Sequence, residues 1–177
     1  MINLPDGLAQ KGLVVGLVPQ ADTVFAIVLA ANVSQQIAIP FAIAGSNTSG
    51  VFQAAETVTQ AGSGATGICM VVPTGSILLL GGSTGTPNAT GLWTGGTSGA
   101  IWKPTLYPVF SNRVLFSVSG GIDFYMKFVN AAIAVPGANA TDGTAPELNP
   151  LLRMCSNKGF ASLVSGSNCV VTMAFYS

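Results

Sequence analysis

Charged side chains are almost missing from this chain. Only 7% of its 177 residues are Asp, Glu, Lys or Arg, the two signs balance at six each, and histidine is absent. An ordinary soluble domain carries about a quarter charged residues. An uncharged surface with low net charge favours association over repulsion, and charged residues are depleted in the cores of protein interfaces. The composition therefore indicates a subunit of an assembly.

The same composition argues against several classes of partner. Zero formal charge and the lack of any run of Lys or Arg remove the electrostatic attraction that dominates binding to nucleic acids and anionic lipids. A membrane-spanning helix needs about 20 mostly apolar residues, and the apolar stretches Thr23–Ala31 and Ile68–Leu80 are too short or are broken by Pro73. The first residues also lack the order of a secretory signal. We expect no direct binding to nucleic acid, no membrane segment and no signal peptide.

Glycine and proline divide the chain into short apolar segments. The 22 Gly and 10 Pro residues separate stretches rich in Val, Ile, Thr and Phe, which is typical of an all-β fold. We expect an antiparallel β-sandwich or jelly-roll-like barrel with long Gly/Ser/Thr loops, formed by residues 1–177 as a single domain with residues 1–11 as an extended N-terminal arm. The predicted strands are Leu13–Leu17, Thr23–Leu29, Ile37–Ala44, Thr66–Val72, Ser76–Leu80, Tyr107–Phe110, Arg113–Ser119, Ile122–Asn130, Phe160–Val164 and Cys169–Tyr176.

Several segments depart from this strand pattern. Pro40 has no N–H to donate, so it predicts an edge strand or a bulge. Phe52–Thr59 is the one segment that predicts a helical turn. Gly81–Gly99 is so rich in Gly, Ser and Thr that it predicts a long exposed loop, and Pro136–Pro150 predicts an extended connector.

One hairpin can be predicted with its register. The segments on either side of residues 119–121 alternate apolar and polar side chains with a period of two. A three-residue loop sets Phe116 opposite Phe124 and Val114 opposite Met126, whereas a two-residue loop mixes the two faces. We therefore predict a β-hairpin whose loop contains a glycine in the left-handed conformation.

The last predicted strand has two uncharged faces. One face carries Cys169, Val171, Met173 and Phe175, and the other carries Val170, Thr172, Ala174 and Tyr176. We expect both faces to be covered, the first by the core and the second by a partner. This makes Val170, Thr172 and Tyr176 candidate interface residues.

The two tryptophans lie in or next to the glycine-rich stretch. The neighbours of Trp93 are too small to pack around an indole, so we expect Trp93 to be exposed as an interface anchor or a sugar platform. Trp102 is the second candidate, with coverage of the core edge as an equal alternative because Ile101 precedes it.

The three cysteines are an odd set, which fits a reducing compartment better than a disulfide framework. Cys69 and Cys169 have apolar neighbours, and free cysteine behaves as a small buried hydrophobe. Free thiols are the first interpretation, and a bridge between Cys155 and Cys169 is the alternative.

Catalytic arrangements are largely excluded. Without histidine there can be no Ser-His-Asp triad, no Cys-His pair and no His-ligated metal. Residues 62–67 match the Gly-x-Gly-x-x-Gly pattern but lead into a strand rather than a helix, so they predict turns instead of a phosphate site. Asp142 and Glu147, the two closest acids, are too few for calcium. The sequence predicts no enzyme, no cofactor and no metal.

Two C-terminal stretches, Thr144–Arg153 and Gly166–Ser177, together with the composition, resemble small virion proteins of tailed bacteriophages, the capsid decoration or cement class. The resemblance implies a small β domain, often trimeric, that binds neighbouring major capsid proteins and helps the capsid to resist internal DNA pressure. Its partners would be the major capsid protein and copies of itself, and it would assemble into the virion in the bacterial cytoplasm.

A second hypothesis is a binding module of a phage tail, a head fibre or an adhesin. In that case the stretch Gly81–Gly99 with Trp93 would contact a glycan or receptor. An enzyme that uses only Ser, Lys and carboxylates is the third hypothesis. The position of Trp93, at a subunit interface or at a solvent-facing tip, separates the first two.

Overall fold

The computed structural model describes residues 23–120, 124–132 and 151–177. These residues contain strands and no helix, and every strand pair is antiparallel, so the all-β prediction is confirmed. The strands are β1 Thr23–Leu29, β2 Gln35–Ala38, β3 Pro40–Ser49, β4 Thr57–Gln60, β5 Thr66–Cys69, β6 Ile77–Thr84, β7 Trp93–Gly95, β8 Ile101–Pro104, β9 Val109–Phe110, β10 Arg113–Ser119, β11 Tyr125–Lys127, β12 Leu151–Met154, β13 Phe160–Val164 and β14 Cys169–Tyr176.

Residues 40–110 form a closed barrel. Its six strands follow the order β6-β5-β4-β7-β8-β3, and pairing between β3 and β6 closes the ring, while the short β9 adds to β3. Closure leaves the ring without a free edge. The interior is filled by Phe41, Ile43, Phe52, Val58, Ala65, Cys69, Leu78, Leu80, Trp93, Ala100 and Trp102. We call this part the barrel.

The remaining strands form two sheets that share a second core. One sheet has the order β1-β14-β10-β12 and the other the order β11-β13-β2. The apolar sides of both sheets contribute to the core, which consists of Leu29, Ile39, Val114, Phe116, Val118, Phe124, Met126, Ala161, Leu163, Cys169, Val171, Met173 and Phe175. We call this part the two-sheet half.

The chain passes from the two-sheet half into the barrel at Ile39. The Ile39 N–H donates to the Gly159 carbonyl at 2.8 Å, and the Ile39 carbonyl accepts from the Gly82 N–H at 3.1 Å. The predicted strand around Pro40 is therefore two strands, β2 and β3, in different sheets. The prediction that the segment around Pro40 is an edge strand or carries a bulge holds for β2, which lies at the edge of its sheet. Pro40 itself is the first residue of β3, where proline is tolerated.

The strand predictions are most accurate in the two-sheet half. The predicted bounds of β1, β10, β13 and β14 are the observed ones, whereas β5, β6, β9 and β11 differ from their predicted lengths. Strands β4, β7, β8 and β12 were not predicted. The predicted strand Leu13–Leu17, the arm 1–11 and the connector Pro136–Pro150 lie outside the described residues.

Two segments of the barrel differ from their predictions. Phe52–Thr59 is not a helical turn, because Val58 lies in β4 with hydrogen-bonded strands on both sides. Gly81–Gly99 is not one long exposed loop, since β6 extends to Thr84 and β7 covers Trp93–Gly95. In both segments, pairing with neighbouring strands overrides the local sequence preference.

The two strands of the predicted hairpin bury the predicted faces, but they do not pair with each other. Strand β10 lies between β12 and β14, and β11 pairs with β13 in the other sheet. Phe116 and Phe124 nevertheless meet across the core, with ring centroids 5.9 Å apart. Alternation determines which face is buried but does not specify which strand lies alongside. Gly120 has a positive φ of 85°, and residues 121–123 lie outside the described part of the chain.

The cysteines are free. Cys69 and Cys169 are buried and Cys155 is partly buried, so the alternative of a Cys155–Cys169 bridge is not realised. Burial raises the pKa of Cys155 to about 11, which keeps its thiol protonated at neutral pH and makes it a poor nucleophile.

Candidate interaction surface

Nine residues on the solvent-facing side of the four-stranded sheet, spread over β1, β14 and β10, carry no charge. Their cross-strand rows are Val24, Ala174 and Leu115; Ala26, Thr172 and Ser117; and Val28, Val170 and Ser119. We call these nine residues the outer face. Val28 is 75% exposed, Val24 60% and Val170 43%. Single exposed valines are ordinary, but apolar residues that are contiguous on an uncharged sheet are typical of a contact surface.

A fourth row closes one end of the outer face. It contains Tyr176, Arg113 and Met154. Met154 is 65% exposed, and the Arg113 Nε donates to the Asn112 side-chain oxygen at 3.2 Å. Arg113 is the one charge in the four rows, so the surface changes from apolar to polar at this end.

The structure places three of the predicted interface residues on this side of the sheet. Val170 and Thr172 belong to the outer face, and Tyr176 lies in the fourth row. The opposite side of β14 is buried in the core, as predicted from Cys169 to Phe175. The outer side of β14 is open to solvent in the single chain.

The other two predicted interface residues are in the core of the barrel. Trp93 and Trp102 are 0% exposed, and they face each other as a cross-strand pair of β7 and β8. Trp93 also lies 6.0 Å from Phe41, centroid to centroid. The prediction that Trp93 anchors a partner is wrong, and for Trp102 the alternative, a place in the core, is the one observed. Their sequence neighbours are too small to cover them, but the closed barrel supplies neighbours from distant strands.

An apolar groove of about 730 Å³ lies where the barrel meets the two-sheet half. Its walls come from the segment 71–77, from β3, β6 and β9, and from both ends of the described chain, Thr23 and Ser177. None of the lining side chains is ionisable. Val71, Val72, Ile77 and Val109 expose part of their apolar surface there. The groove is therefore a second surface without ionisable side chains, separate from the outer face.

One carboxylate is buried inside the barrel. Glu56 is 6% exposed and is the one buried charged residue among those that the structure describes. Its Oε1 accepts from the Gln53 N–H at 2.7 Å and from the Ser98 hydroxyl at 2.8 Å. Its Oε2 accepts from the N–H groups of Thr97 and Ser98 at 3.0 and 2.9 Å. The carboxylate thus fixes the turn between β7 and β8.

These contacts determine the ionisation of Glu56. Burial acts to raise its pKa, but the hydrogen bonds from Gln53, Ser98 and Thr97 outweigh burial and lower the pKa below its ordinary value. A carboxylate that is held ionised and saturated with donors stabilises a fold and is poorly suited to act as a general acid. Sequence reasoning missed this residue because its partners Thr97 and Ser98 follow it only some forty positions later.

The described residues show neither a metal site nor a membrane-spanning helix. Within residues 23–120, 124–132 and 151–177, no three Cys, Asp or Glu side chains are grouped so that they could bind a metal ion. The same ranges include no helix long and apolar enough to cross a bilayer. No protein-family model, curated protein or solved structure matches this chain.

Proposed function

We propose that this chain is a non-enzymatic structural subunit of a virion, a capsid decoration or cement protein that binds and stabilises the major capsid lattice. The observation that carries the proposal is the outer face, an uncharged and partly apolar surface on a four-stranded sheet. The resemblance of the two C-terminal stretches and the shortage of charge support the same function. The absence of histidine supports a role without catalysis.

The position of β14 suggests how the outer face would make its contacts. Strand β14 is hydrogen-bonded to β1 on one side and to β10 on the other, so its backbone has no groups left for an added strand. Contact with the capsid at β14 would therefore be made by side chains, with Val170 and its cross-strand neighbour Val28 at the end of the outer face away from Tyr176. Repeated weak contacts of this kind add up on a lattice because each attached subunit raises the effective concentration of the next contact.

The proposal includes the partners and the location. The chain would associate with copies of itself, with a trimer favoured, and with the major capsid protein, after assembly in the bacterial cytoplasm. Residues 1–11 would act as an arm that orders on the capsid. We expect no direct contact with nucleic acid or membrane. We further propose that the two-sheet half is a β-sandwich of the jelly-roll type.

The second hypothesis, a tail, head-fibre or adhesin module, depended on Trp93 as an exposed contact residue. With Trp93 and Trp102 both fully buried, no described residue favours that function over the cement function. The exposed residues of the stretch Gly81–Gly99 are spread among buried ones and, apart from Leu92, are Gly, Ala and Thr.

The experiment is light scattering of the purified protein, with and without capsids that lack it. The wild type should form a closed oligomer that binds those capsids. A variant with Val28→Asp and Val170→Asp should lose binding, whereas Val51→Asp, at a barrel valine that is 69% exposed, should keep it. A wild-type monomer that ignores capsids would overturn the proposal.

A further inference from the structure

The apolar groove is a surface feature that the proposed function leaves without a role. Its volume of about 730 Å³ lies in the range of about 300–1,000 Å³ in which proteins bind ligands. Its lining offers no ionisable side chain, so a charged side chain of the occupant would lose hydration without gaining a side-chain counterion. The matching occupant is an uncharged apolar segment.

The chain reaches this groove at its first described residue. Thr23 lines the groove, and its Oγ1 is buried without a hydrogen-bond partner among the described residues. Twenty-two residues precede Thr23, and they include the apolar, uncharged run Leu13-Val14-Val15-Gly16-Leu17-Val18. An uncharged run of matching chemistry is thus tethered at the mouth of a groove without ionisable side chains.

We infer that the groove binds the chain's own segment 13–18. The segment lies five to ten residues before Thr23, and a chain covers at most about 3.3–3.6 Å per residue. Every part of the segment can therefore reach the groove walls at Ile77 and Val109. This inference is independent of the capsid function.

The covalent link to Thr23 also favours the chain's own segment over other occupants of the groove. A short link gives the segment an effective concentration of the order of millimolar at the groove. The same segment of a second copy, or an apolar peptide of another protein, must compete with it at its own much lower free concentration. The chain's own segment is therefore the favoured occupant.

A photo-crosslinker at position 15 tests the inference without assuming a register. The full-length chain would carry benzoylphenylalanine in place of Val15, and the crosslinked peptides would be mapped by mass spectrometry in dilute solution. We expect crosslinks within one chain to residues 71–77 or to Val109. Crosslinks mainly between chains, or to residues outside the groove, would overturn the inference.

A change in the groove provides the matched control. Ile77→Asp, in the groove wall, should lower the crosslink yield by about tenfold, because a charge would oppose burial of the segment. Val51→Asp introduces the same charge at an exposed site beyond the end of β3 and outside the groove, and it should leave the yield unchanged. Native tryptophan emission would verify that both variants keep the barrel. Val109→Asp, in the part of the groove that β9 contributes, would replace Ile77→Asp if it did not. An unchanged yield in both folded groove variants would refute the inference.

Discussion

In the barrel, residues 40–110 build a closed ring from one continuous stretch of chain, whereas the two-sheet half joins residues 23–38 to residues 113–176. The two-sheet half depends on pairs such as Leu29 with Cys169, which bring the two ends of the described chain together. Its core is held by apolar packing. The barrel combines apolar packing with the buried carboxylate of Glu56. The same unusual composition thus supports two kinds of core.

The stability of each core can be measured separately, because each core contains its own natural probes. Trp93, Trp102 and Cys69 belong to the barrel core, whereas Cys155 and Cys169 report on the two-sheet half. Tryptophan emission therefore follows the barrel, and the reactivity of Cys169 follows the other half. A variant that affects one probe and not the other shows that the two cores are energetically separable.

The largest effect is expected from Phe175→Asp. Phe175 is 0% exposed in the two-sheet core, and burying an unpaired charge there should cost more than about 4 kcal/mol of unfolding free energy. We expect the variant to lose folding of the two-sheet half or assembly, with Cys169 becoming reactive and tryptophan emission staying native. Thr172→Asp, on the opposite side of the same strand, is the control and should keep Cys169 protected.

Either of two results would contradict this prediction. A soluble oligomer of native size from Phe175→Asp would show that the two-sheet core is not required. A red shift of the tryptophan emission together with Cys169 exposure would show that the two halves unfold as one unit.

The next effect is expected at Gly82, where the two parts meet. Gly82 has a positive φ of 67°, and a Cβ there would come within 2.6 Å of the Phe160 ring. We expect Gly82→Ala to destabilise the protein by about 3 kcal/mol, from backbone strain together with overpacking. The measurement is chemical denaturation followed by both probes.

Gly64→Ala isolates the backbone contribution. Gly64 has the same φ of 67° but open space where a Cβ would lie, so the change should cost only about 1–2 kcal/mol. Equal losses for the two variants would mean that the contact between Gly82 and Phe160 does not matter for stability.

A smaller effect is expected from Glu56→Gln in the barrel. The amide can replace only part of the acceptor capacity of the carboxylate and would direct an N–H group at other donors, so we expect a loss of about 2 kcal/mol at neutral pH. Urea unfolding followed by tryptophan emission would measure it. Ser63→Ala, a partly exposed polar site of the barrel away from Glu56, is a reference change.

Glu56 also makes the stability of the barrel depend on pH, in a direction that its pKa determines. Because the pKa of Glu56 is lower in the folded protein than the ordinary 4.5, its contribution is present above about pH 4.5 and is lost as the pH falls through the lowered value. The wild-type barrel should therefore weaken on acidification more than the Glu56→Gln barrel. Parallel losses in both proteins would contradict the assignment.

The smallest effect on folding is expected at the outer face. Val28→Asp places a charge at a side chain that is 75% exposed, so the free energy of unfolding should change by no more than about 0.5 kcal/mol. Thermal unfolding monitored through Cys169 reactivity would measure it. A large loss of stability in the isolated chain would show that Val28 supports the fold and would remove it as an interface candidate.

The contrast between the two parts also explains what the sequence could predict. The strands β1, β10, β13 and β14 have regular alternation or clear turn residues at their ends, so their bounds were predicted, and for β10 and β14 the buried faces as well. The barrel strands β4, β7 and β8 have four residues or fewer and consist largely of residues that also occur in loops. Their burial comes from closure of the ring, which is a property of strands far apart in the sequence.

Some of the candidate functional residues could likewise be predicted from the sequence, and others could not. Val170 and Thr172 were found from the period of a single strand, which suffices to place a side chain on one face of a sheet. The burial of Trp93 and the hydrogen bonds to Glu56 depend on which strands become neighbours. A pattern within one segment does not specify the neighbouring strands. The mistaken pairing of β10 with β11 has the same cause.

The barrel begins and ends at one place, because the Ser111 N–H donates to the Pro40 carbonyl at 3.1 Å. An insert whose two ends are hydrogen-bonded to each other can be exchanged as a cassette. A short turn from Ile39 to Asn112 would bypass the whole ring, and a foreign domain with adjacent termini could take its place. The scaffold that carries the outer face is thereby open to modular engineering, with cargo displayed on the side where the ring now lies.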